Sequence, residues 1–174
     1  MARIGAIRSA AIGLVVAFAL GCGALGVGLR YNGTSSFPAG FYRVSGKHAV
    51  KGDLVLVDIP ALPVLEMAKE RGYLNVAFSP VGRIMKRLVG VAGDRVTIDS
   101  TGVQVNGTPL ANSAPLPCDG VGRPLQACVL NRIIEPNEVL LMSDYNPASF
   151  DSRYFGPIEA TSIELVVRPV LTWN

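Results

Sequence analysis

The 21 residues from Ser9 to Leu29 carry no charge, and this run constrains the chain more than any other feature. It reads Ser9-Ala-Ala-Ile-Gly-Leu-Val-Val-Ala-Phe-Ala-Leu-Gly-Cys-Gly-Ala-Leu-Gly-Val-Gly-Leu29 and lies between Arg8 and Arg30. At about 1.5 Å of rise per residue, a helix of this length matches a hydrocarbon layer of roughly 30 Å. Its five glycines weaken a helix in water but are common in transmembrane helices. Residues 1–30 are therefore expected to form an N-terminal membrane anchor or signal segment, and residues 31–174 the working domain. A cleaved leader is the main alternative, although the run exceeds the usual apolar region of about 7–15 residues. A lipid-modified Cys22 lacks a convincing site before it. Arg3 and Arg8 precede the run, and Arg30, Arg43, Lys47 and Lys51 follow it. Positive charge therefore decides little about orientation, although large domains translocate largely regardless of charge.

With 174 residues the chain can hold one domain with a core, not two large ones. The net charge of +3 is mild and dispersed, which argues against nucleic acid as a partner. Outside the apolar run two cysteines remain, Cys118 and Cys128, bracketing the loop-forming Asp119-Gly-Val-Gly-Arg-Pro-Leu-Gln-Ala127. They are expected to pair as a disulfide in an oxidising compartment such as the periplasm, with two free thiols as the alternative. The one histidine, His48, stands alone, so neither a zinc site nor any other metal or cofactor is expected.

Beyond the anchor the signals are mainly β. Leu54 to Ile59 is rich in β-branched residues and stops at Pro60, as a strand would. Pro63 to Arg71 suits one short helix, with proline at its start and Gly72 just past its end. Strands are expected at Ile84–Val91, Arg95–Ile98 and Val139–Met142, and at Glu164–Leu171, interrupted or ended by Pro169. Asn106-Gly107 between short runs signals a hairpin. Residues 111–137, rich in Pro, Gly, Asn and Cys, should be mostly loop.

Most catalytic routes lack their residues. There is no Gly-x-Ser-x-Gly elbow, no phosphate-binding Gly-Lys-Ser/Thr loop and no dinucleotide fingerprint. No lysine follows a serine by three positions. His48 could serve a Ser-His triad but lies in a polar turn with no motif around it, and a serine with a lysine base from a distant segment stays open. A lysine serves as a base near neutrality only when burial penalises its charged form. Lys47 and Lys51 flank a polar turn, and Lys69 sits beside Glu66 and Glu70. Lys86 alone lies on an apolar strand, sharing a face with Ile84 and Leu88. A surface lysine with a packed stem is the competing reading of the same pattern.

Three segments then resemble one family in order. Thr34-Ser-Ser-Phe-Pro-Ala-Gly-Phe-Tyr42 is similar to the nucleophile box of the signal peptidase I family (peptidase S26), in its conjugative-transfer, TraF-type branch. Met85-Lys-Arg-Leu-Val-Gly-Val-Ala-Gly-Asp94 resembles its lysine box. Ser143-Asp-Tyr-Asn-Pro-Ala-Ser-Phe-Asp-Ser-Arg-Tyr-Phe-Gly156 resembles its third box. The spacing Ser-Phe-Pro, where the broad family has Ser-Met-x-Pro, and Val-Ala-Gly-Asp, where Leu-Pro-Gly-Asp is common, favour the conjugative branch.

The resemblance implies a signal-peptidase-type β domain in which Ser36 is the nucleophile and Lys86 its base. Ser35 sits at the wrong offset from Pro38. It also implies that the Ser36 N–H and Thr34 stabilise the oxyanion, and that Ser149 orients the lysine. Asp151 is divided between a catalytic and a structural role, and Arg153 is assigned the structural one. The implied substrate is a membrane-associated pre-protein, in this branch a pilin precursor that is cleaved or cyclised. The bilayer and type IV secretion components are the implied partners. The implied location is the inner membrane, with a single N-terminal span and the catalytic domain in the periplasm. A general signal peptidase and a non-catalytic component of a secretion machine are the rival readings.

Overall fold

The computed structural model describes residues 28–74 and 83–173. The expected anchor falls almost wholly outside the described residues. Its last three positions do not: Gly28 lies in a turn, and Leu29 and Arg30 open strand β1 (Leu29–Asn32), so the apolar run ends inside a sheet. Among the described residues no helix is long and apolar enough to cross a membrane.

Strand β2 (Ala39–Ser45) buries Gly40 and Tyr42 and turns Phe41 and Arg43 outward, a period-2 alternation. Strand β3 (Leu54–Asp58) ends before Pro60, and helix α1 (Pro63–Glu70) starts on its proline. Beyond α1, Gly72 adopts φ +76° and its N–H bonds back to the Lys69 carbonyl. This closes the helix in the left-handed conformation that glycine tolerates best. Strands β4 (Arg83–Gly90), β5 (Arg95–Asp99) and β6 (Gly102–Val105) follow. Asn106 and Gly107, both at positive φ, turn β6 into β7 (Thr108–Pro109) as the dipeptide predicts.

Strand β8 (Leu130–Ile133) lies inside the stretch expected to be loop. Its apolar residues do not mark it, because Ile133 faces solvent while Arg132 is half-buried. Pairing with β5 makes it a strand. After β9 (Glu138–Met142) comes a second short helix, α2 (Ser152–Phe155), which corrects the expectation of a single helix. Strand β10 (Ile158–Glu159) and one 3-10 turn lead into β11 (Ile163–Trp173). Pro169 does not end β11; it marks a register shift. β3 pairs only as far as Val167, so at Pro169 the strand has β2 alone as neighbour, and one side of its backbone asks for no donor.

The strands form two antiparallel sheets, ordered β1-β2-β11-β3-β4-β9-β10 and β7-β6-β5-β8. The main core packs Val55, Val57, Leu65, Leu88, Leu141, Phe150 and Val166 under α1 and α2. A second core, including Val89, Val96, Ile98 and Leu140, joins the two sheets.

Candidate active site

Strand β4 is central, between β3 and β9, and six of its eight residues are buried, on both of its faces. Ile84, Lys86 and Leu88 share one face, and Lys86 stands opposite Val55, which is fully buried. A lysine there cannot reach water, and only 2% of Lys86 is exposed. Burial is the main reason its pKa falls to about 8. The nearby Asp151 charge works against the fall, and Arg153 adds to it.

The Lys86 ammonium finds two hydroxyls. Nζ donates to Ser36 Oγ at 2.9 Å and to Ser149 Oγ at 2.6 Å. The two serine oxygens lie 3.1 Å apart, which closes a triangle. Ser36 is half-buried and lines two cavities of about 340 and 260 Å³. The larger holds Ser149, Tyr73, Asp119 and Arg123, and the smaller holds Thr34, Leu74 and Lys86. Ser35 is exposed, and the hydroxyl that meets Lys86 is that of Ser36.

Two clamps place Ser36. Asn32, buried at the end of β1, donates from Nδ2 to the carbonyls of Thr34, Phe37 and Pro38. Its Oδ1 accepts the N–H and the hydroxyl of Thr34. The Thr34 hydroxyl donates to Asn32 Oδ1 at 2.8 Å, while Thr34 itself lines the smaller cavity. The second clamp comes from the loop after β9. Ser143 Oγ donates to the Ser36 carbonyl at 2.6 Å, and Asn146 Nδ2 donates to the Ser35 carbonyl at 3.0 Å.

Asp151 and Arg153 hold that loop from below. Both are fully buried and pair twice, Nε to Oδ1 at 2.7 Å and a second guanidinium nitrogen to Oδ2 at 2.9 Å. Asp151 also accepts the Ser143 N–H, and Arg153 donates to the carbonyls of Ser143, Pro147 and Ala114. Neither bonds to Lys86 or Ser36; Asp151 acts on the lysine through its charge.

Sequence reasoning missed Asn32, Ser143 and Asn146. Ser143 and Asn146 act on backbone carbonyls of a loop more than 100 residues away, a partnership that no spacing encodes, whereas Asn32 grips carbonyls of its own loop. The Asn32-Gly33 dipeptide does signal a turn.

The expected Cys118–Cys128 disulfide is not formed; both are free thiols. Cys118 is held by a bridge to Pro124 that folds its loop back on itself. The Cys128 N–H bonds to the Arg153 carbonyl, and its Sγ packs against Gly156. Each cysteine thus belongs to a different part of the wall. Among the described residues no group of three His, Cys, Asp or Glu could hold a metal ion.

A mainly β domain that sets a buried lysine against a loop serine has a signal-peptidase-like layout. The chain belongs to the signal peptidase family, peptidase S26, whose profile matches residues 8–172. It is 44% identical to a plasmid transfer protein TraF of Escherichia coli, over 91% of each chain. It is also 37% identical to a probable conjugal transfer protein TraF of Sinorhizobium fredii (84% of this chain, 78% of that one). A conjugal transfer protein TraF of Agrobacterium fabrum shares 34% identity over 93% of this chain and 92% of its own. A signal peptidase I of Enterococcus faecalis V583, solved crystallographically, aligns with 70% of this chain and 98% of its own. At 19% identity and a TM-score of 0.39 it adds nothing to the family match.

Proposed function

We propose that this protein is a serine endopeptidase that matures a membrane-associated pre-protein of conjugative transfer, with Ser36 as nucleophile and Lys86 as general base. The observation that carries the reading is the triangle of Lys86 Nζ with Ser36 Oγ and Ser149 Oγ inside a buried site. Neutral Lys86 takes the Ser36 proton while Ser36 Oγ bonds to the scissile carbonyl carbon. The C–N bond then breaks, and Lys86 returns the proton to the leaving amine. Ser149 holds the amine in line, and Asp151 with Arg153 fixes the loop that carries Ser149.

Relatives that bear the names of plasmid and conjugal transfer proteins support a pilin precursor as substrate. The resulting acyl-enzyme is resolved by water or by the substrate's own amino terminus, and the second route yields a ring. The apolar run ending at Leu29, a few residues before Ser36, supports a single inner-membrane span with the site at the periplasmic surface.

The test co-expresses the chain with the pilin precursor of its own transfer system and reads product mass. Ser36→Ala and Lys86→Ala should each leave the precursor uncut, whereas Ser35→Ala should process it. Normal processing by either of the first two would falsify the dyad. A product lighter by one water than the linear form selects cyclisation.

A further inference from the structure

With the Thr34 hydroxyl donated to Asn32, the donor left beside the nucleophile is the Ser36 N–H, and a hydroxyl has only one proton to give. Among the described residues no group accepts that N–H. Its usefulness depends on where it points, and a short exposed loop does not settle direction by itself. The Ser35–Ser36 peptide is trans and planar, so its C=O and N–H point in opposite directions. Whatever holds the Ser35 carbonyl therefore aims the Ser36 N–H.

That carbonyl is held by Asn146 Nδ2 at 3.0 Å. Asn146 lines neither of the two cavities that Ser36 borders, whereas Ser35 and Ser36 line both. The amide thus reaches the Ser35 carbonyl from outside both cavities, and the Ser36 N–H points away from it. Asn146 is itself fixed. Its Oδ1 accepts the Ala148 N–H at 2.9 Å, its N–H donates to Ser143 Oγ, and its carbonyl accepts the Ser149 N–H. One short turn thereby orients the lysine through Ser149 and the Ser36 N–H through the Asn146 side chain. We propose that Asn146 is a positioning residue for the oxyanion: its carboxamide aims the Ser36 N–H at the developing negative charge. This rests on the Ser36–Lys86 reading above.

The experiment uses the full chain in detergent micelles, a synthetic peptide with alanines around the scissile bond, and an aldehyde of the same sequence. Ser36 Oγ adds to the aldehyde carbon and its proton passes to Lys86, leaving a hemiacetal oxyanion that needs the same donor. Asn146→Asp keeps the acceptor for the Ala148 N–H and removes the donor, while Asn146→Ala removes both. Both variants should lose roughly 10²–10³ in kcat, the usual cost of a missing oxyanion donor. Aldehyde affinity should fall in parallel, with KM unchanged. In Asn146→Ala the pH midpoint of kcat/KM should stay where Lys86 sets it. Wild-type kcat in Asn146→Asp would overturn the proposal, since the turn alone would then be what matters. So would a shifted midpoint and raised KM in Asn146→Ala, the marks of a displaced Ser149 and Lys86. Turnover surviving in Ser36→Ala would instead sink the dyad, and that control is read separately.

Discussion

Lys86 concentrates the chemistry into one titration. Its pKa of about 8 reflects desolvation on a strand covered on both faces, partly offset by the Asp151 charge. The base is the neutral amine, so kcat/KM should rise with pH through a midpoint near 8 and level off above it, as a pH–rate profile would show. The same depression has a cost in stability. Between about 8 and the ordinary lysine value of 10.5, the unfolded chain binds the proton that the folded chain has released. Stability from this group therefore increases as pH rises through that window, and below it the fold carries a buried charge. Lys86→Met should raise the urea midpoint at pH 7, corresponding to a gain on the order of 1–3 kcal/mol. The gain should shrink by pH 10; an equal gain at both pH values would mean that burial of charge is not the cause. A strand pattern pointed to Lys86, but its two hydroxyl partners come from positions 50 and 63 residues away along the chain.

Among the elements, the turn between β9 and α2 governs the site because so many of its groups are buried and bonded. Asp151 caps α2 by accepting the Arg153 N–H and also takes the Ser143 N–H. A buried ion pair contributes little net stability when intact, but breaking one side strands a charge, at about 3–5 kcal/mol. Arg153→Met should therefore lower stability by about that amount in chemical denaturation. Asp151→Asn combined with Arg153→Met should recover part of the loss; a double variant no better than the single one would contradict this account. The element was half legible beforehand. Asp-Ser-Arg-x-x-Gly marked it by resemblance, yet the helix it caps is only four residues long and has no periodicity to read. Strand β8 was hidden for a related reason, since Ile133 faces outward, Leu130 alone packs inward, and β5 supplies the pairing.

For the molecule as a whole, the turn after α1, the loop from Asp119 to Leu125 and the turn before α2 wall the larger cavity beside Ser36, and Cys118 and Cys128 flank that loop. Cys118 is exposed, whereas Cys128 is half-buried with its thiol pushed up by desolvation. Without reductant both should accept iodoacetamide, Cys118 faster than Cys128, as peptide mass spectrometry would record. A pair that alkylates only after reduction would restore the disulfide. Sequence alone determined the strands whose apolar residues alternate or run unbroken, the helix between Pro63 and Gly72 and the Asn-Gly hairpin; it placed Lys86 on an apolar strand but left its burial open. Each of these is written in neighbouring residues through a local period or a turn dipeptide. Tertiary structure alone decided that Ser143 and Asn146 hold the nucleophile loop. Those two side chains reach backbone carbonyls 107 and 111 residues away along the chain, and hydrogen bonds to backbone carbonyls leave no trace in residue type.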